Sequence, residues 1–292
     1  EKDEREKDER EKDEREIDKL YWRYYVYYLS VLSEANSLYS RSGKNITKGT
    51  DLFDREEINI LAVQEKALQQ ASETKQRDLK CLALRLLCSY PHLGSLIFAL
   101  RLDPQKYIKF LKDASRATHR LRNEKIVCLD KWICAHLCDL GIVYKNLGEM
   151  KKAIRLHKKQ LAIARKNDYK KEVGNAIYQI GRNYADQGYV KEAIKCHKKA
   201  VSVFKRGEDY QGIVKPLVAE GISRRYIGEV SRAIRYHKRA LNISQEKEYG
   251  WGIAYSLNNL GSDYVDQDEI DEALKHYEEA LRIDRKTGYR IG

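Results

Sequence analysis

Four places along the chain carry residue types that do chemistry. Ser42-Gly-Lys44 holds the Gly-Lys pair of a phosphate-binding loop, in which backbone N–H groups cradle phosphates. That loop needs a Gly five residues before the pair and Ser or Thr directly after it. Leu38 and Asn45 stand there instead, so the stretch reads as surface loop. Cys134-Ala-His136-Leu-Cys138 offers soft metal ligands, but on a helix the two Cys share a face and His136 points elsewhere. Asp266-Gln-Asp-Glu-Ile-Asp-Glu272 has the acids of a calcium loop without its glycine at the sixth position, and reads as a helix-turn with N-terminal acids. His157, His197 and His237 recur every forty residues. Each lies four after an Ala and four before a Leu or Val, on the packed side of a helix. Helix-packing distances of about 10 Å keep successive members too far apart to share a metal. Neither GxSxG nor HExxH occurs. No catalysis, metal or cofactor is expected.

The histidines belong to a larger pattern that must position everything else. Gly141, Gly181, Gly221 and Gly261 share the forty-residue spacing. Tyr144, Tyr184 and Tyr264 follow three later, with Arg224 as the exception, and Gly148, Gly188 and Gly228 follow seven later. Ala153, Ala193, Ala233 and Ala273 come next, then Leu161, Val201, Leu241 and Leu281. Forty residues hold two helices and their turns. Small residues let the two approach, the turn glycines take positive φ, and the aliphatic columns build one apolar face. One hairpin cannot bury that face, so neighbours must stack.

This pattern resembles the tetratricopeptide repeat in a variety with longer helices, the usual unit being 34 residues. Its aromatic position falls on His157, His197, His237 and Tyr277. The resemblance implies an all-α, right-handed α-α superhelix, a tetratricopeptide solenoid of 40-residue units, over residues 102–292. Asp103 and Pro104 start a helix as cap and first helical residue. The stretch to Leu140 reads as the second helix of a degenerate repeat followed by a first helix. Pro216 leaves the start of the third unit's first helix open, because proline kinks an established helix.

Residues 17–101 form a helical segment outside the period. Its Tyr-rich start, Leu20–Leu29, leads to a polar loop around Ser42–Thr50. A helix follows with apolar positions at Ile58, Leu61, Ala62 and Leu68, and another over Arg77–Tyr90 is stopped by Pro91. Phe53-Asp-Arg-Glu-Glu-Ile-Asn-Ile60, then Arg101-Leu-Asp-Pro104 and long repeats, resembles the C-terminal sensor region of bacterial STAND-type signalling NTPases, a group related to NB-ARC proteins. There a Phe-Asp-x-Glu-x-x-Asn-Ile helix lies between the nucleotide-binding module and the repeats. The resemblance implies an NTPase domain in cis before residue 1.

Two surfaces are candidates for binding. In the tetratricopeptide family the first helices line a concave face that takes peptides. The resemblance carries that role to Tyr178, Arg182, Lys215, Arg225, Tyr226, Tyr255 and Asn258. The second surface is a basic ridge on the convex side: Arg155, Lys158 and Lys159, then Lys195, Lys198 and Lys199, then Arg235, Lys238 and Arg239, ending at Glu278 and Glu279. Such a ridge attracts nucleic acid through counterion release, although no aromatic residues interleave with it to stack bases.

Composition agrees with a folded helical chain. Of 292 residues, 42% are hydrophobic and 34% charged, and 3 prolines and 17 glycines exclude collagen-like or Pro-rich disorder. The net charge of +12 hides an imbalance. Residues 1–16, a repeated charged pentad, hold ten acids and six bases, which leaves +16 for residues 17–292. The pentads read as a solvated helix or linker. No run approaches the roughly 20 apolar residues of a membrane helix. The charged start is no secretory signal, and six sparse Cys form no disulfide framework, so the expected location is cytoplasmic. Without an initial Met, and ending in an inter-repeat turn, these residues read as a piece of a longer protein with further repeats. The expected function is that of a protein-interaction or ligand-sensing module binding a protein or peptide, with a stand-alone scaffold or nucleic-acid binding as the alternatives. No membrane association is expected.

Overall fold

A computed structural model describes residues 23–39, 44–73, 77–123 and 129–287. The opening pentads, Ser42-Gly43, Cys128 and residues 288–292 lie outside them. The described residues form thirteen helices and no strand, in two compact units, with the division at Lys125–Ile126.

The first unit contains α1 (23–39), α2 (Lys44–Glu73), α3 (Arg77–Leu93), α4 (Ser95–Arg101) and α5 (Pro104–Asn123). Its core gathers around Phe98, whose ring lies 5.9 Å from each of Phe53, Tyr107 and Phe110. The Asp103 carboxylate caps α5, accepting from the N–H groups of Gln105 at 2.9 Å and Lys106 at 3.2 Å. α5 packs on α3 within this unit.

Three features of the first unit differ from the expectation. Lys44–Thr50 is the first part of α2 rather than loop. Gly49 is there for close approach: a Cβ on it would lie 2.6 Å from the Ala35 carbonyl oxygen and the Tyr39 nitrogen of α1. Pro91 does not stop α3, which continues to Leu93. Proline removes one bond to the preceding turn, and this close to a helix end few bonds remain to be lost. The buried face of α2 is Phe53, Ile60, Val63, Ala67 and Ala71, whereas Ile58 is 82% exposed.

The second unit stacks four hairpins as a right-handed α-α superhelix: α6 (Leu129–Asn146) with α7 (Met150–Lys166), α8 (Lys170–Asp186) with α9 (Val190–Arg206), α10 (Tyr210–Tyr226) with α11 (Val230–Glu246), and α12 (Gly250–Val265) with α13 (Ile270–Thr287). Within each hairpin a ring presses on a glycine. A Cβ on Gly141, Gly181 or Gly221 would fall 2.3–2.7 Å from the imidazole of His157, His197 or His237, and one on Gly261 would meet the Tyr277 ring at 2.6 Å. The alanines at 153, 193, 233 and 273 are at most 1% exposed.

Each turn needs one left-handed residue. Gly148, Gly188 and Gly228 supply it inside the first three hairpins at φ 77–80°, and Asp268 does so in the fourth at 59°. Between hairpins the residue is Asp168, Glu208 or Glu248. Inside each hairpin the N–H directly after the left-handed residue closes the turn. Glu149, Tyr189, Glu229 and Glu269 donate to the carbonyls of Tyr144, Tyr184, Arg224 and Tyr264 at 2.8–2.9 Å.

Pro216 lies inside α10, which starts at Tyr210 without interruption. The Asp209 side chain secures that start by accepting from the Gly212 N–H at 2.8 Å. On the last helix, Leu274 and Leu281 are 53% and 50% exposed.

We expect Gly221→Ala to destabilise the second unit by about 1–3 kcal/mol, because the His237 ring cannot retreat from a new Cβ. Gly188→Ala, strained only by its positive φ, should cost about 1–2 kcal/mol. Urea unfolding followed by circular dichroism checks both.

Candidate functional site

Within the second unit the first helices lie close together. α6 packs on α8, α8 on α10 and α10 on α12, and no second-helix pair makes comparably extensive contact. The first helices therefore form the inner, concave face.

Tyr178, Arg182, Lys215, Tyr255 and Asn258 project from α8, α10 and α12. The Arg182 guanidinium lies 6.0 Å from the Tyr178 ring centre. The Lys215 ammonium sits 5.1 Å over Trp251, which stacks on Tyr255 at 4.8 Å and 25°. Tyr249 adds a further ring 5.6 Å from Trp251. A depression of about 200 Å³ opens beside Asn175, Tyr178, Lys215 and Tyr249. Loss of solvent pushes the Tyr178 hydroxyl up to about 12 and lowers the Lys215 ammonium from its ordinary value, with Arg182 adding repulsion. Cation–aromatic contacts are stronger in such a partly desolvated place than at the open surface.

Trp251 and Tyr249 escape the sequence reading. Both stand at the start of α12. The one available signal is the column that Trp251 shares with Lys131, Lys171 and Gln211, where a lone tryptophan among polar residues marks a ring at the edge of the core.

Arg225 and Tyr226 sit differently. Arg225 reaches Asp263 at 3.3 Å and Asp266 at 3.7 Å on α12 and its turn. That pairing repeats the Lys145–Asp186 bridge, 3.0 Å, two hairpins earlier. Tyr226 is 78% exposed on the last turn of α10.

The histidine column is buried, at no more than 1% exposure. His237 shares a 2.5 Å hydrogen bond with the equally buried Asp263. Among the described residues no group of three or more His, Cys, Asp or Glu is placed to hold a metal ion. Cys134 is buried and Cys138 half-buried, and loss of solvent pushes each thiol up to about 12.

The ridge residues Arg155, Lys158, Lys159, Lys195, Lys198, Lys199, Arg235, Lys238 and Arg239 are exposed on α7, α9 and α11, the outer helices. No ion pair among the described residues engages them. Lys238 lies 5.7 Å over the Tyr264 ring.

A model of the tetratricopeptide repeat matches residues 132–206 and 214–286, just over half of the chain. The chain belongs to the tetratricopeptide repeat family. Such repeats build protein–protein interaction modules, and the matched family is a scaffold rather than an enzyme family. No curated protein matches the sequence. Among solved structures, BtubC (BKLC) from P. vanneervenii is similar with a TM-score of 0.58 at 17% identity, over 79% of this chain and 92% of that one. A Rap protein complexed with competence and sporulation factor gives 0.59 at 14%, over 88% and 77%. A STAND protein with a tetratricopeptide repeat sensor from Pyrococcus horikoshii gives 0.56 at 15%, over 83% of this chain and 37% of that one. These likenesses show the fold. No helix among the described residues is long and apolar enough to cross a membrane.

Loss of solvent holds His157 and His197 down at about 4 and Asp139 up at about 7. Unfolded, the histidines take protons near 6.5. Their contribution to stability is therefore present above that pH and lost as pH falls toward 4, at about 1.4 kcal/mol per pH unit each. Asp139 works in the opposite direction, since its folded form keeps a proton that the unfolded chain releases near 4. The second unit should lose stability from pH 6.5 to 4, and Asp139→Asn should steepen that loss. An unchanged slope in urea titrations at several pH values would contradict this.

Proposed function

We propose that the concave face of α8, α10 and α12 binds an extended peptide or protein segment, and that the chain is the ligand-sensing part of a larger signalling protein. The observation that carries the reading is the preset cluster of Lys215 over the Trp251–Tyr255 stack with Arg182 over Tyr178. Aromatic and arginine side chains give large contacts for little entropy loss, which suits a binding face. Asn258 and the half-buried Asn175 supply amides for a ligand backbone.

The sensor reading draws on the two segments that resemble STAND proteins. Asp54 of one and Arg101 of the other are joined by a 2.8 Å ion pair, and Phe53 is fully buried. Ligand binding would then shift an NTPase in cis between resting and active states. A stand-alone scaffold is the alternative, and the coding sequence upstream of residue 1 separates the two: without a phosphate-loop domain there, the scaffold reading stands.

A peptide array probed with the purified chain tests the groove. Peptides that bind should lose at least about tenfold in affinity to Trp251→Ala and Lys215→Ala. Binding untouched by both variants would place the ligand elsewhere.

A further inference from the structure

The outer face carries a second built feature, independent of the concave groove. Between α9 and α11 a groove of about 450 Å³ is lined by Lys198, Arg224, Arg232, Arg235, Tyr236 and Arg239. Its floor is fixed. The Arg224 side chain is 9% exposed, donates to the buried Glu220 carboxylate at 2.8 and 3.1 Å and to Glu229 at 2.6 Å, and lies 4.9 Å over the Tyr236 ring. Glu229 also holds Arg232 at 2.8 Å. Two carboxylates thus face five cations. Lys198, Arg235 and Arg239 have no ion pair among the described residues.

Neighbouring hairpins do not repeat this arrangement. At the position of Arg232 they have Glu192 and Glu272, and at that of Arg239 they have Lys199 and Glu279. Where Arg224 lies, they have Tyr184 and Tyr264. Four arginines converge in this groove, and neither neighbouring hairpin has an arginine at the equivalent positions. An extended strand running across hairpins would meet Glu192 on one side and Glu272 and Glu279 on the other. A compact anion seated in the groove meets its cations and the Tyr236 ring.

We propose that this groove binds a compact oligophosphate, a ligand with two or three linked phosphates. Guanidinium forks match phosphate oxygens in pairs, and three uncompensated cations offset most of the negative charge of such a chain. The volume lies within the range of small-ligand sites. The phosphates come either from an inorganic oligophosphate or from a nucleotide.

Calorimetric titration of the full chain at low salt with inorganic tripolyphosphate, ATP and a single-stranded oligonucleotide tests this. Tripolyphosphate should bind, and Arg235→Ala with Arg239→Ala should weaken it at least about tenfold. Lys195→Ala with Lys199→Ala, which removes the same charge from the equivalent positions of α9, should change it less than about threefold. All four positions are exposed, and thermal melting confirms the fold of each variant. ATP binding as well as tripolyphosphate marks recognition of phosphates alone, and tighter ATP binding marks a nucleotide; both support the proposal. Absent tripolyphosphate binding overturns it. So does equal loss in the two double variants, or an oligonucleotide bound more tightly than tripolyphosphate, either of which assigns the ridge to polyanions in general.

Discussion

Two helices of a hairpin can lie only as close as the side chains between them allow. In the second unit that distance is set by a ring pressed against a glycine. The imidazoles of His157, His197 and His237 occupy the space that a Cβ at Gly141, Gly181 and Gly221 would need. Close approach buries the alanine columns, fixes the hairpin angle and so determines how successive hairpins stack. The inner face inherits its curvature from this contact, since first helices packed this way touch their neighbours while the second helices spread.

Much of this is legible because a repeat states each rule several times. One glycine on a helix is ambiguous, but four at forty-residue spacing, each with a bulky partner sixteen residues later, point to close packing. The first unit lacks such redundancy. Gly49 is a single glycine near polar residues and reads as loop, although it serves a helix crossing. Ile58 fits an apolar stripe by type, yet Ile60 and Val63 face the core, because nothing local fixes the phase of a helix with apolar residues on several sides.

The concave cluster shows a different limit. Lys215 and Trp251 come from different hairpins, and their pairing depends on curvature that no single column records. Arg225 has the position of a groove residue, but Asp263 and Asp266 lie within its reach, and it joins hairpins as Lys145 does with Asp186. Residue type alone does not separate a cation left for a ligand from one already engaged.

The third hairpin shows how far the columns can be broken without losing the fold. Glu220 replaces the Leu or Ile found at 140, 180 and 260, which would leave a carboxylate buried and unpaired. Arg224, in the tyrosine column, answers that charge four residues later on the same helix, and Tyr236 supplies the displaced ring from the opposite helix. Glu220 is unfavourable without Arg224, because a buried charge needs its partner, and the Tyr236 ring gives the arginine a surface to lie on. Together they keep the hairpin packed while turning an apolar contact into a charged floor. A solenoid held by glycine–ring contacts tolerates this, since the contact between Gly221 and His237 lies outside the exchange.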